Sequence, residues 1–213
     1  MYNCKINADT IVRYIEKNFD TEGFNVVDIG CGNLSITNKL IPLFKEVHGV
    51  DIEIPISNQI KVHKNNLNKQ WSKLPSNHFD FVISLSTIEH LENPYHFIRE
   101  IKRILKYRGF AIISTHNINN CVSKLYFMLF NQHESFFWNK NMHTNKFGKP
   151  TNVQHKTCFN KEYLTNIVKY EGLNIVDVFY GNYKLHIPKL IVVNDFFIKS
   201  KIFAKDFFVV CHK

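Results

Sequence analysis

The 213 residues are 45% hydrophobic and 21% charged, a composition typical of a globular protein long enough to bury a full core. The chain has no run of about 18 apolar residues and begins with polar residues, so we expect neither a membrane span nor a signal peptide. The five cysteines are scattered and form no C-x-x-C pair, which argues against disulfides and cysteine zinc sites and predicts a cytoplasmic protein.

The net charge of +9 is concentrated in the second half of the chain. Residues 1–115 contain 14 Lys/Arg and 12 Asp/Glu, whereas residues 116–213 contain 13 and 6. A basic C-terminal half predicts an anionic partner, and we expect a small-molecule acceptor. Because the charge is dispersed lysine without an arginine-rich run, it argues against nucleic acid.

Helical and extended patterns alternate along the first 115 residues. Helical spacing of apolar residues predicts a helix over residues 8–19. The segments that follow predict strands at about 24–29, 46–51, 60–64 and 110–115, and helices at 34–44 and 94–109. Residues 74–85 predict a loop and then a further buried strand. Asn93 is the expected cap of the second of these helices, and Gly109 its expected end. Such alternation predicts an open parallel sheet with helices on both faces.

The pattern is looser beyond residue 115. We predict helices at 118–131 and 160–170, and strands at 173–179 and 204–212. The aromatic segment 132–158 has no clear periodicity, and loops of this length are often lids, so we predict a lid there. A second insertion, residues 182–203, is basic and aromatic.

A glycine turn follows the first predicted strand. Residues 26–29, which are apolar except for Asp28, lead into Gly30 and Gly32, which allow a ligand to approach the main chain closely. The predicted helix after the turn would offer free N–H groups to that ligand. Asp51 ends the next strand, where a nucleotide-binding βαβ unit places an acidic residue on ribose hydroxyls.

Polar residues stand at the carboxyl ends of all five predicted strands in this part of the chain. They are Asp28, Asp51, Asn66, Ser84 and Thr115. In open parallel sheets, ligands bind outside these strand ends. Residues 26–115 are therefore predicted to form one nucleotide-type site.

Two motifs resemble those of class I S-adenosylmethionine (SAM)-dependent methyltransferases. V-V-D-I-G-C-G at residues 26–32 is similar to the first motif of the family, and H-G-V-D-I at residues 48–52 is similar to its second-strand motif. The resemblance implies SAM as cofactor and a Rossmann-like α/β fold, doubly wound, whose seven-stranded, mostly parallel sheet has an antiparallel last strand. It implies a single domain over residues 1–213, with a cofactor half at 10–115 and an acceptor half at 116–213.

The resemblance also implies which residues bind the cofactor. They are Asp28, Gly30, Cys31, Gly32, Asp51, Ile52, Asn66, Leu67, Ser84 and Glu89. Asn66 and Leu67 stand where the family usually has an Asp and an apolar residue beside the adenine. The family usually reads G-x-G-x-G, but Leu34 occupies the third glycine position. Its side chain must therefore point into the helix–sheet packing or reshape the methionine end of the site.

Two histidines are the candidate catalytic residues, because imidazole is the natural base near neutral pH. His90 lies in an E-H-L triplet common among O-methyltransferase-like relatives, and it could instead order its loop. His155 begins a segment similar to one that precedes the sixth-strand helix in many relatives. His116, just past the fifth strand, ranks third.

The same resemblance raises the question of a metal site. Methyltransferases of small-RNA ends and some quinone O-methyltransferases use an E-x-x-E-H cluster. Glu89 and His90 match it and His155 could add a ligand, but Ser86 stands at the first Glu. With one carboxylate missing, the sequence predicts no metal.

The predicted function is transfer of a methyl group from SAM to a hydroxyl of a small, anionic or sugar-like metabolite. Two alternatives stay open at this point. One is a metal-assisted 2′-O-methyltransferase of RNA ends, and the other is a non-catalytic subunit with the SAM fold.

Overall fold

The computed structural model describes residues 8–53, 55–131, 155–181, 201–202 and 204–213. Within these residues the helices are α1 (Ala8–Asn18), α2 (Thr37–Leu40), α3 (Pro94–Ile104), α4 (Cys121–Phe130) and α5 (Lys161–Tyr170), with a 3₁₀ turn at Ile88–His90. The strands are β1 (Asn25–Ile29), β2 (Glu46–Asp51), β3 (Lys61–Lys64), β4 (Phe79–Leu85), β5 (Leu105–His116), β6 (Asn174–Tyr180) and β7 (Asp206–His212). Most of the predicted lid and of the basic insertion lies outside the described residues.

The seven strands form one sheet in the order β3-β2-β1-β4-β5-β7-β6. β1 pairs in parallel with β2 and β4, and the parallel pairing continues outward to β3 and β5. β7 runs antiparallel between β5 and β6. The predicted fold class is therefore confirmed, including the antiparallel last strand.

Two hydrophobic cores cover the two faces of the sheet, because alternate strand residues point to opposite sides. Val27 and Ile29 of β1 pack in one core with Ile101 of α3. Val26 packs in the other core with Ile11 of α1. These side chains are fully buried, and each such burial contributes about 1.5–3 kcal/mol to folding.

α2 is much shorter than the predicted helix at 34–44. Leu34 has a left-handed backbone with φ of 64°, through which a right-handed helix cannot begin. Pro42 follows the helix and lacks the N–H group that a longer helix would use. The predicted extent was wrong, since only Thr37–Leu40 is helical and irregular turns flank it.

α3 also ends earlier than predicted, and Gly109 is not its stop. Leu105 already has an extended backbone, with ψ of 137°, and begins β5. The Lys106 ammonium lies 2.9 Å from both carboxylate oxygens of Asp80 in β4 and ties the two strands together. A Cβ on Gly109 would lie 3.1 Å from the carbonyl oxygen of Asp80, so this glycine permits the close approach of the strands.

α4 has an apolar surface that the described residues leave largely uncovered. An apolar stripe along the helix includes Leu125, Leu129 and Phe130, whose exposed fractions are 54%, 66% and 56%. The stripe is thus not a core face within the described part of the chain. None of the helices described is both long enough and apolar enough to cross a membrane.

Candidate functional site

The carboxyl ends of β1, β2, β4 and β5 meet at one edge of the sheet, because these strands are parallel neighbours. β1 lies at the centre, and the chain order runs outward from it in both directions. In doubly wound sheets this point, the topological switch point, is where ligands bind. The predicted site residues are distributed along this edge, and the glycine turn after β1 is in the middle of it.

The glycine turn needs both of its glycines, for different reasons. Gly30 has φ of 83°, and a Cβ there would lie 2.2 Å from Oγ1 of Thr87. Gly32 has φ of 52°, and a Cβ there would meet nothing within 4 Å. The first glycine therefore lets the turn pack against the loop after β4, whereas the second faces open space where a ligand can approach.

Asp28 lies beneath the turn. Its side chain is buried, and Oδ2 accepts a hydrogen bond of 2.6 Å from Oγ1 of Thr37 at the start of α2. Burial, aided by the nearby Asp51 carboxylate, raises the pKa of Asp28 to about 6, although the hydrogen bond from Thr37 acts to lower it. Asp28 therefore connects β1 to α2, and its carboxyl group faces protein.

Asp51 joins the end of β2 to the glycine turn. Its Oδ2 accepts a bond of 2.9 Å from the N–H of Gly32, and its Oδ1 accepts one of 2.7 Å from the N–H of Ile52. A carboxylate has about four lone-pair positions, so both oxygens keep capacity for ribose hydroxyls. Ile52 is 57% exposed beside it and offers an apolar surface to a ring.

The remaining predicted cofactor residues beyond β3 and on β4 are more enclosed. Oδ1 of Asn66 accepts from the N–H of Asn68 in a local turn, and Leu67 packs in the core. Ser84 is buried and donates a bond of 2.8 Å to the carbonyl oxygen of Ile29. Ser84 thus fastens the ends of β1 and β4 together.

Leu34 points away from the open side of the turn. The side chain is 3% exposed and packs in the same core as Cys31. Its Cδ2 and the Cys31 side chain both lie close to Gly49 of β2, within 3.4 Å of the position of a Cβ there. Of the two possibilities for the third glycine position, the structure shows packing, and the left-handed backbone of Leu34 keeps the turn in place.

These features fit SAM. The turn presents open backbone at Gly32, an acidic side chain at Asp51 and an exposed apolar side chain at Ile52. The side chain at the departing position, Leu34, does not enter this space. The residues that would hold the cofactor are therefore the turn, Asp51 and Ile52.

Glu89 organises the other end of the edge. Its side chain is 1% exposed; Oε2 accepts a bond of 3.0 Å from Oγ1 of Thr115, and Oε1 lies 3.1 Å from Nδ1 of His116. Burial acts to raise the pKa of Glu89, but His116, aided by His90, outweighs burial and holds that pKa below its ordinary value. Glu89 was expected to bind cofactor, but its carboxylate is directed at the β5 residues.

Three histidine rings converge beside this carboxylate. The ring centre of His155 lies 4.8 Å from that of His90 and 4.9 Å from that of His116. Burial, together with His116 and His90, lowers the pKa of His155 to about 4. His155 is therefore neutral at pH 7, and both catalytic candidates lie in one cluster.

The main chain of Glu89 fixes the segment that carries His155. Its carbonyl oxygen accepts bonds of 2.7 Å and 3.2 Å from the N–H groups of Lys156 and Thr157. The Lys156 ammonium also lies 2.8 Å from Oε1 of Glu92. The 3₁₀ turn after β4 thus positions His90 directly and His155 through hydrogen bonds.

Two polar groups near the cluster lack hydrogen bonds to the residues that the structure describes. They are Oδ1 of Asp206, which lies 3.9 Å from Nε2 of His116, and Oγ of Ser86. Burial raises the pKa of Asp206, and Glu89 adds to this, whereas His116 acts in the opposite direction. The part of the edge around Glu89 and the three histidines, here called the acceptor end, therefore has polar atoms that could bind an acceptor molecule.

The described residues also bring together a possible set of metal ligands, which differs from the set of Glu89, His90 and His155 that the sequence resemblance suggests. Glu89, His116 and His155 each offer one ligand atom within 4.8 Å of the other two. His116 thus belongs to this set of ligands, whereas the sequence pattern indicates His90. The signal that could have raised its rank is its place at the end of β5, which is paired in parallel with β4.

The family of the chain follows from its sequence match. Residues 4–178 match the family described as a methyltransferase domain, so the chain belongs to this methyltransferase family. The predicted family is therefore confirmed. The predicted cofactor, SAM, is the methyl donor of the family.

The chain is similar to curated O-methyltransferases over part of its length. It is 34% identical over 137 residues to the mitochondrial ubiquinone biosynthesis O-methyltransferase of Dictyostelium discoideum, an alignment that covers 55% of this chain and 41% of that protein. It is 26% identical over 136 residues to a ubiquinone biosynthesis O-methyltransferase of Cereibacter sphaeroides, with coverage of 56% and 54%. The chain thus spans about half the length of these relatives.

Solved structures resemble the fold over nearly the whole chain. A SAM-dependent methyltransferase from Archaeoglobus fulgidus has a TM-score of 0.65 and 17% identity, covering 98% of this chain and 96% of its own. One from Mesorhizobium loti has a TM-score of 0.61 and 14% identity, with coverage of 97% and 98%. At these identities the likeness concerns the fold alone.

Proposed function

We propose that this protein transfers the methyl group of SAM to a hydroxyl group of a small, anionic or sugar-like metabolite. The observation that carries the proposal is the convergence of His90, His116 and His155 around the buried Glu89. This cluster adjoins the cofactor turn, because Thr87, which contacts Gly30, precedes Glu89 by two residues. The similarity to O-methyltransferases supports a hydroxyl as the acceptor.

The reaction needs a nucleophile close to the methyl group and a place for its proton. SAM supplies an activated methyl group, so the cofactor carries the difficult chemistry. A hydroxyl acceptor must lose a proton, and imidazole is the side chain suited to accept it near neutral pH. We assign this role to His90, which follows β4 in the 3₁₀ turn, and assign His155 as the second side chain at the acceptor.

Orientation accounts for much of the expected rate acceleration. Well-oriented intramolecular reactions reach effective molarities of about 10⁵–10⁸ M. In this protein the cofactor turn and the 3₁₀ turn pack directly on each other through Gly30 and Thr87. That contact supports a fixed distance between bound cofactor and acceptor. The basic C-terminal half supports an anionic acceptor.

Three further predictions belong with this proposal. The first is a single domain, which is supported by the pairing of β7 in the acceptor half with β5 along seven positions. The second is a lid at 132–158, which lies outside the described residues except for 155–158. The third is a cytoplasmic location.

Two measurements test the proposal. Calorimetric titration of the full chain with S-adenosylhomocysteine should give one binding site per chain. Labelled methyl from SAM should then pass to hydroxyl compounds in a panel of phenols, sugars and hydroxy acids, with matched amines and a short RNA as competitors. Absence of cofactor binding would indicate the non-catalytic subunit, and label found only in amines or RNA would refute the hydroxyl assignment.

A further inference from the structure

Glu89, His116 and His155 form a compact set of metal-ligating side chains. One ligand atom from each lies within 4.8 Å of the other two, and the Glu89 carboxylate is buried. We infer that these three side chains bind a divalent transition-metal ion, and that His116 supplies the ligand that Ser86 cannot. The inference rests on the proposed function, because the three residues lie at the acceptor end of the candidate site.

The distance between the first two ligand atoms suits a shared ion. Oε1 of Glu89 and Nδ1 of His116 are 3.1 Å apart. Two ligands at about 2.0–2.2 Å from one ion, separated by angles between octahedral and tetrahedral, lie roughly 2.9–3.5 Å apart. These same atoms form the hydrogen bond described above, so ion binding exchanges a proton for the metal.

The chemistry of the donor set selects the kind of ion. Mg²⁺ prefers an octahedron of oxygen ligands, whereas imidazole suits zinc, copper, iron and nickel. Ser86 removes a carboxylate from the pattern that the sequence resembles, and His116 contributes a nitrogen. One carboxylate with two imidazoles therefore favours a transition metal over Mg²⁺.

Asp206 is placed to support the site from outside. A histidine that binds metal commonly donates its other ring N–H to a carboxylate, which fixes the tautomer and the ring orientation. Nε2 of His116 lies 3.9 Å from Oδ1 of Asp206, and His116 pairs with Asp206 between β5 and β7. This oxygen accepts no hydrogen bond from the described residues, so it is available to the ring.

An ion here would act on the acceptor hydroxyl. A divalent cation lowers the pKa of an oxygen that it binds, which favours the nucleophilic form. His155 would then act through the ion, whereas His90 remains the residue assigned to the proton. The proposed function and the metal site are thus compatible, but they can be tested separately.

Metal binding can be measured without any methyl transfer. The full chain is treated with a chelator and titrated with Co²⁺ alone, followed by visible absorption and calorimetry, and then with Zn²⁺ and Mg²⁺ as competitors. We expect one Co²⁺ per chain, displaced by Zn²⁺ and retained in millimolar Mg²⁺. His116→Asn and His155→Asn should each weaken binding by more than about 100-fold, and Asp206→Asn by about 10–100-fold. His96→Asn is the matched control, because His96 lies on α3 outside the cluster.

Equal Co²⁺ affinity in the wild type and in both His116→Asn and His155→Asn would overturn the site, as would the absence of stoichiometric binding in the wild type. Binding of S-adenosylhomocysteine by each variant shows that the variant is folded. If one of the two histidine variants does not bind it, the comparison with the wild type uses the other histidine variant. Methyl transfer to hydroxyls without metal binding would overturn this inference alone. Metal binding without transfer to any hydroxyl would overturn the proposed function alone.

Discussion

The edge of the sheet where the parallel strands end has two parts, a cofactor end around the glycine turn and an acceptor end around Glu89. Their polar groups are hydrogen-bonded in different ways. At the cofactor end, Asp51 accepts hydrogen bonds from the main-chain N–H groups of Gly32 and Ile52. At the acceptor end, Glu89 is held by the side chains of Thr115 and His116. Main-chain partners depend on the path of the chain, whereas side-chain partners change with single substitutions. The cofactor end is therefore set by backbone geometry, and the acceptor end by residue identity.

The largest expected effect comes from removing the histidines of the acceptor end. His90→Gln and His155→Gln should each lower the rate of methyl transfer by about 10²–10⁴-fold, the usual contribution of a positioned acid or base. Affinity for S-adenosylhomocysteine should not change, since the cofactor end is held by main-chain bonds. His96→Gln is the control for the loss of a histidine. Equal losses of cofactor affinity and transfer rate would show that the two ends are not separable.

The next effect tests the backbone at the cofactor end through its two glycines. Gly30→Ala combines a left-handed φ with a clash against Thr87 and should lower the free energy of unfolding by about 2–4 kcal/mol. Gly32→Ala has the strain without the clash and should cost about 1–2 kcal/mol. Urea unfolding monitored by circular dichroism measures both. If the two variants were equally stable, the contact between Gly30 and Thr87 would not matter.

Asp28 should make stability depend on pH at the cofactor end. Its pKa is about 6 in the folded protein, compared with 3.8 for an unperturbed Asp. The folded state therefore binds more protons between pH 4 and 6, and the free energy of unfolding falls as pH rises through this window, by up to about 3 kcal/mol. Asp28→Asn should remove that part of the slope while keeping an oxygen for the Thr37 bond. Thermal unfolding of both proteins at several pH values would reveal it, and identical slopes would contradict the assignment.

The smallest effect comes from a histidine pair outside the site, which contrasts with the acceptor-end cluster. Nδ1 of His48 and Nε2 of His63 are 2.9 Å apart, and Glu46 and Lys61 adjoin them. Burial lowers the pKa of both rings, so their contribution to stability is present above about pH 6.5 and is lost as pH falls. His63→Gln should flatten this decline by less than about 1 kcal/mol without changing methyl transfer. A change in transfer rate would show that the pair communicates with the site.

Much of the fold could be predicted because its signals are local. The sequence predicts a loop and then a buried strand within residues 74–85, and β4 is observed as Phe79–Leu85, since a buried parallel strand appears as a mostly apolar run. The extent of α2 could not be predicted, because the left-handed conformation of Leu34 accompanies packing of its side chain beside Gly49 of β2, which is distant in the sequence.

The site was predictable in its location but only partly in its partners. Strand ends mark the edge, so Asp51, Glu89 and His90 could be placed there from the sequence. The pairing of Glu89 with His116 joins residues at the ends of two strands, and no sequence spacing specifies which oxygen faces which ring. The role of His116 therefore required the structure.

The carbonyl oxygen of Glu89 has a further consequence for measurement. It accepts hydrogen bonds from the N–H groups of Lys156 and Thr157, and these two bonds connect the segment of His155 to the 3₁₀ turn. In hydrogen–deuterium exchange, the protection of these two amides would report how often the segment detaches. Their exchange rates would thus measure the free energy of local opening at the acceptor end.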